Sequence, residues 1–152
     1  ETGTFMGGSA LYIADIMESI GHGRIITIDI EHKERPKHPR IEYLKGFSTD
    51  VEIHLKKDKE IMVILDSDHS KANVLNEIKR FAPLVSKGQY LIVEDTNING
   101  HPALPEFGDG PMEAVKEFME SFKGHSMPDF KVDRSMEKFL LTFNPEGFLR
   151  KI

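Results

Sequence analysis

The run Ile25-Ile26-Thr27-Ile28-Asp29-Ile30 is the most informative stretch of the chain. It is β-branched and almost continuously apolar, the composition of a strand buried on both faces of a parallel sheet, and its one carboxylate comes near the far end. Upstream, residues 9–20 carry apolar side chains at 10, 13, 14 and 17, with 16 and 20 on the same side. That spacing predicts an amphipathic helix, which Gly21 and Gly23 end. The residues before it form a Gly-rich turn. Downstream, residues 31–40 mix Glu31, Lys33, Glu34, Arg35, Lys37 and Arg40 with Pro36 and Pro39, and read as a solvated connection.

Farther along, the alternation continues. Residues 41–44 are a strand candidate; Gly46 follows, and Ser48-Thr49-Asp50 can cap a weak helix reaching about Leu55. Residues 61–65 are wholly apolar and run into Asp66, then into a helix with Val74, Leu75, Ile78, Phe81 and Ala82 on one side. Residues 90–93 repeat the arrangement and end on Glu94-Asp95. The segment 96–110 holds three glycines and two prolines, and connections of that length inside a domain are usually binding loops or lids. Pro111 suits the first position of a helix with the inner stripe Met112, Val115, Met119 and Phe122. In the tail, residues 130–132 and 139–143 predict two strands that pair antiparallel. Strands alternating with helices imply an α/β fold: a doubly wound, mainly parallel sheet with helices on both faces and an antiparallel C-terminal strand pair. Residues 1–152 are expected to form a single domain. Because the chain opens on Glu1-Thr2-Gly3-Thr4 without an initiator Met, upstream residues, and part of a first strand, are expected to be missing.

Composition narrows the function. With 39% apolar and 30% charged residues, the chain has the balance of an ordinary globular protein, and no apolar run approaches the ~18 residues of a membrane span. A net charge of -5 speaks against a nucleic-acid binder and for a small-molecule substrate. The absence of cysteine excludes thiolate catalysis, disulfides and Cys-ligated metals, and is compatible with a cytoplasmic protein. Oligomeric state is left open, a homo-oligomer included.

In such sheets ligands bind beyond the carboxyl ends of the strands, where the unusual residues of this chain fall. Glu1-Thr2-Gly3-Thr4-Phe5-Met6-Gly7-Gly8-Ser9 joins a carboxylate to glycines at the start of a helix, as in nucleotide-binding turns, without the spacing G-x-G-x-x-G. A plain tight turn is the alternative. Asp29, 26 positions after Gly3, is placed to accept hydrogen bonds from ribose hydroxyls; otherwise it caps a helix. Asp66, Glu94 and Asp95 end neighbouring strands. Either Asp alone reads best as a cap, but three carboxylates together repel and call for a cation, and an all-oxygen set favours magnesium, calcium or manganese. His69 could serve as a base beside such an ion. The triplet His32-Lys33-Glu34 offers thin support for an iron oxygenase; the basic cluster 33–40 reads as a solvated face and the stripe of residues 112–122 as core.

Together, residues 1–10 (Glu1 through Ser9-Ala10), Ile26-Thr27-Ile28-Asp29, Leu65-Asp66-Ser67-Asp68-His69-Ser70, Val93-Glu94-Asp95-Thr96, Gly110-Pro111-Met112-Glu113-Ala114-Val115 and Lys138-Phe139-Leu140-Leu141-Thr142-Phe143-Asn144-Pro145 resemble the cephalosporin hydroxylase / rhamnosyl O-methyltransferase family. That resemblance implies a class I S-adenosylmethionine methyltransferase fold. It implies that Glu1, Gly3, Phe5, Gly7 and Ser9 line the methionine and ribose side of S-adenosylmethionine, that Asp29 binds the ribose, and that residues 46–48, Gly46 and Ser48 among them, approach the adenine. A more distant similarity to catechol-type O-methyltransferases implies that Asp66, Glu94 and Asp95 hold magnesium; there an Asn stands for Asp95 and a Lys for His69. The implied activity is methyl transfer to a hydroxyl of a sugar or natural product, with Asp66 and His69 at the reacting oxygen. The alternatives are an oxygenation enzyme of the cephalosporin hydroxylase type and a non-catalytic module that binds an adenosine ligand.

Overall fold

A computed structural model describes residues 1–31, 33–55, 58–121, 130–139 and 141–152. They divide into two units, Glu1–His54 and Leu55–Ile152. The described residues form an α/β structure with three α-helices and both parallel and antiparallel strand pairs.

In the first unit, β1 (Ile25–Asp29) pairs in parallel with β2 (Ile41–Lys45), Ile25 beside Ile41 and Asp29 beside Lys45. On the other edge of β1, Ile28 exchanges hydrogen bonds with Glu1 and Gly3, and Thr2 forms a parallel bridge to Ile28. Helix α1 (Gly8–Ser19) covers this layer. Its Ala10 and Ala14 are fully buried against Ile25, because small side chains let the helix approach the sheet closely. Ile16 and Ile20, expected on the same side, point outward instead at 44% and 56% exposure. The helix expected over residues 48–55 reduces to one turn, Asp50 and Val51 bonding back to Phe47. Apolar residues at 51, 53 and 55 repeat every second position and give no helical stripe to bury. His32 lies outside the described residues.

In the second unit the strand order is β3-β4-β6-β5. β3 (Val63–Leu65) and β4 (Tyr90–Val93) run in parallel; β3 is shorter than the apolar run 61–65, whose Met62 is 46% exposed. β6 (Phe148–Lys151) is antiparallel to both β4 and β5 (Phe130–Val132). The expected partner of β5 was residues 139–143, and that expectation fails. Phe139, Leu141 and Phe143 are 64–76% exposed, whereas Leu149 in the middle of β6 is fully buried; Leu140 lies outside the described residues. Gly147 brings β6 in: a Cβ there would stand 2.3 Å from the Val93 carbonyl, so only glycine permits this approach.

Helices α2 (Lys71–Phe81) and α3 (Pro111–Glu120) pack on one another. Val74, Ile78 and Phe81 of α2 join Leu91, Val93 and Leu149 of the sheet among the core residues, each contributing roughly 1.5–3 kcal/mol by leaving water. Toward its C-terminal end α3 buries Phe118 rather than Met119, and the Phe118 ring meets Phe130 edge-on at 6.1 Å. Phe122 lies outside the described residues. No helix among the described residues is long and apolar enough to cross a membrane.

Candidate functional site

The first unit gathers its unusual residues at the carboxyl end of β1. Gly7, at φ 79°, turns the chain into α1; a Cβ there would sit 3.1 Å from the Tyr43 hydroxyl and 3.2 Å from Pro36. Gly7, the residue that precedes α1, has no side chain with which to cap this end of the helix. The Glu1 carboxylate reaches back to Ser9 in the helix and accepts from Thr27 Oγ1 at 2.5 Å, and Thr27 shares a further 2.7 Å hydrogen bond with Thr4. Glu1 and Ser9 are thereby joined, with Gly3 and Phe5 in the turn between them.

Asp29 is held from three directions. Its carboxylate accepts from the Phe5 amide at 2.7 Å and the Glu31 amide at 2.9 Å, and pairs with Arg35 at 3.1 Å. Both side chains are nearly buried, at 6% exposure for Arg35 and 13% for Asp29. Two carboxylate oxygens offer about four acceptor sites, so these contacts leave Asp29 little more than one for a ligand. Arg35 also donates to the carbonyls of Phe5 and Glu31 and lies over the Tyr43 ring. It is not part of a solvated face. Burial raises the Tyr43 pKa against the opposing charge of Arg35. The Asp29 carbonyl accepts from Gly46, which brings the two positions to neighbouring strand ends, and Ser48 follows in the turn after β2. The exposed Phe5 ring carries Lys33 Nζ 4.4 Å from its centroid.

In the second unit the parallel register sets Leu65 beside Val93, so that Asp66 and Glu94 leave the sheet at the same level; the Glu94 amide donates to the Leu65 carbonyl. Asp95 follows with φ 54°, a left-handed conformation uncommon for a residue with a side chain. Asn144 stabilises it. The Asn144 side chain accepts from the Asp95 amide at 2.9 Å and donates to the Glu94 carboxylate at 2.5 Å.

This turn brings together Asp66, His69 and Asp95, one donor atom from each lying within 4.8 Å of the others. His69 Nε2 is 3.3 Å from Asp95 Oδ2 and 4.0 Å from Asp66 Oδ1, and all three side chains are 30–40% exposed. Two carboxylate oxygens and an imidazole nitrogen at such spacing suit a divalent cation. Glu94, expected beside Asp66 and Asp95, is outside this group and turned to Asn144. The nearest signal of Asn144 in the sequence is its place in the Phe143-Asn144-Pro145 segment; nothing in local periodicity marks it.

The loop 96–110 closes beside His69. The vacant Cβ position of Gly110 is 3.4 Å from the His69 carbonyl, and the Lys71 amide donates to Asp109. Glu113 in the first turn of α3 gathers the loop, accepting from the Gly110 amide at 2.8 Å and Asn99 at 3.2 Å and pairing with His101 at 2.8 Å. Burial alone would raise the Glu113 pKa, but hydrogen bonds from Gly110, His101 and Asn99 outweigh it and bring it to about 2.

The sequence profile of the rhamnosyl O-methyltransferase/CmcI family matches residues 1–152. Proteins named rhamnosyl O-methyltransferase from Mycobacterium bovis and Mycobacterium tuberculosis are 44% identical to the chain over 162 residues, covering 98% of it and 64% of their own length. One of the same name from Mycobacterium leprae is 42% identical over 161 residues, covering 98% of the chain and 69% of itself. The chain therefore spans a little less than two thirds of the first two relatives. A match running its whole length makes it a member of the rhamnosyl O-methyltransferase/CmcI family.

Proposed function

We propose that the chain is an S-adenosylmethionine-dependent O-methyltransferase domain, of the doubly wound Rossmann-like kind, that acts with a bound divalent cation on a hydroxyl of a sugar or natural product. The observation that carries this reading is the donor set of Asp66, His69 and Asp95 in a member of this family. The name borne by the relatives favours methyl transfer over oxygenation and a sugar hydroxyl as the acceptor. A cytoplasmic protein working on a small molecule fits the composition.

When bound, S-adenosylmethionine supplies a methyl group on a sulfonium, and magnesium or another hard divalent cation supplies Lewis acidity that favours the ionised form of a hydroxyl. Glu1, Gly3, Phe5, Gly7 and Ser9 lie in and around the turn into α1 that would receive the methionine part. Asp29 would accept from a ribose hydroxyl with its remaining capacity, and Gly46 and Ser48 would border the adenine. Asp66 and Asp95 would hold the cation, with Glu94 supporting them through Asn144. Nε2 of His69 would take the proton of the acceptor hydroxyl, leaving its oxygen to receive the methyl group that the bound donor would supply. In-line attack requires a fixed approach, which the anchored loop 96–110 favours by limiting water and acceptor motion.

A second reading of His69 rests on its Nε2 lying inside the donor set: the imidazole would then be a ligand instead of a base. Calorimetry with S-adenosylmethionine, with and without magnesium, tests the main proposal together with turnover on hydroxylated sugars. Donor binding and magnesium-dependent product are expected; a protein that binds neither donor nor cation refutes the reading. His69→Gln that retains cation affinity while losing turnover identifies a base, and loss of both identifies a ligand.

A further inference from the structure

Glu77 is the buried charged residue that neither the fold nor the proposed chemistry accounts for. It lies on the inner side of α2 with Val74, Ile78 and Phe81 and is fully inaccessible to solvent. One oxygen, Oε1, accepts from Ser67 Oγ at 2.7 Å; the other, Oε2, has no hydrogen-bond partner among the described residues. A helix packed only for stability would carry an apolar side chain here, since burying a carboxylate with one oxygen unsatisfied is unfavourable.

The contacts around Ser67 supply a reason. Asn73 Nδ2 donates to Ser67 Oγ at 3.0 Å and to the Asp68 carbonyl at 2.9 Å, and the Asp68 side chain accepts from the Ser70 amide at 2.8 Å. Residues 67–70 are thus fastened to α2 from beneath, and Glu77 is the buried end of the fastening. Two of the three clustered donors, Asp66 and His69, flank Ser67 in this same segment.

We infer that Glu77, through Ser67, is a positioning residue for the Asp66, His69 and Asp95 cluster. It touches no ligand itself. It fixes the backbone between β3 and α2 so that Asp66 and His69 face Asp95. The cation readout of this inference rests on the proposed function; the arrangement of His69 does not.

The test compares Glu77→Gln, which keeps an acceptor for Ser67, with Glu77→Met, which fills the space with an adaptable apolar chain, and with Ser67→Ala. Manganese(II) binding is measured by electron paramagnetic resonance, the His69 ring resonance by NMR at fixed pH, and the unfolding midpoint in urea. Glu77→Met is expected to unfold at or above the wild-type midpoint while binding manganese at least fivefold more weakly and moving the His69 resonance. Ser67→Ala should do the same to both site readouts, and Glu77→Gln should stay within twofold of wild type. If Glu77→Met does not fold, Ser67→Ala decides. Wild-type His69 resonance and manganese affinity in Glu77→Met and Ser67→Ala overturn the inference, as does Glu77→Gln behaving like Glu77→Met. A wild-type protein that binds no manganese removes the cation reading alone; a His69 resonance that moves in Glu77→Met and returns in Glu77→Gln still establishes the positioning role.

Discussion

Asp29 and Asp66 both stand at carboxyl ends of parallel strands, yet their surroundings differ in kind. Asp29 is nearly buried, and the Phe5 amide, the Glu31 amide and Arg35 take up most of what its oxygens can accept. Asp66 is 40% exposed, and His69 and the second carboxylate of Asp95 are its neighbours in the cluster. The first carboxylate organises its own chain, with about one acceptor site left over. The second belongs to a group of donors whose mutual repulsion a cation would relieve. Two aspartates in the same topological position thus differ: one is tied into its own chain, the other stands among clustered donor atoms.

The sharpest way to break this contrast is Asp95→Ala. Turnover should fall on the order of 1000-fold, ~4 kcal/mol in the barrier, while calorimetry finds donor affinity within twofold of wild type. Equal loss of both would mean that the cluster supports the fold and not the reaction. Asp29→Ala should do the reverse in character: the Arg35 guanidinium stays buried without its carboxylate and the Phe5 amide loses its acceptor, so urea unfolding should reveal a loss of ~2–3 kcal/mol. A wild-type midpoint there would contradict the description of Asp29 as a structural tie.

Glu113 belongs with Asp29 as a satisfied carboxylate, and its pKa makes the point measurable. Its folded value of about 2 lies below the ordinary 4.5, so its ionisation stabilises the fold fully above about pH 4.5 and ceases to do so as pH falls through 2. The advantage of wild type over Glu113→Gln, about 1 kcal/mol after solvent screening, should shrink across that window in thermal melts; a gap independent of pH would sink the assignment. The smallest effect, and one of opposite sign, is expected for Asp66→Asn without metal. Removing one of two clustered charges should leave stability unchanged or raise it by roughly 0.5 kcal/mol, and magnesium should no longer raise the melting temperature.

Legibility in the sequence followed how local each determinant is. The helix over Gly8–Ser19, the strands over Ile25–Asp29, Ile41–Lys45 and Tyr90–Val93, and the helix beginning at Pro111 rest on periodicity and on Gly and Pro signals within a few residues, and all were readable. The last strand was not. Residues 139–143 are more apolar than Phe148-Leu149-Arg150-Lys151, but register with β4 depends on how closely Gly147 approaches Val93, a contact between distant parts of the chain. The same holds for charge. Arg35 looks like one cation in a hydrophilic connection until tertiary packing buries its side chain, and Glu77, not among the apolar positions read for its helix, is buried as well. Asp66, Asp95 and His69 could be named from strand ends and spacing, whereas the turning of Glu94 toward Asn144 could not.

Asn144 gives that last contact a temporal meaning. The amide that clamps Glu94 and Asp95 is fifty positions farther along the polypeptide. During synthesis the acidic pair leaves the ribosome well before its clamp exists, and a product ending at residue 143 would retain every acidic residue named above while leaving the turn after β4 unsecured. The turn after β4 is therefore completed only once Asn144 is in place.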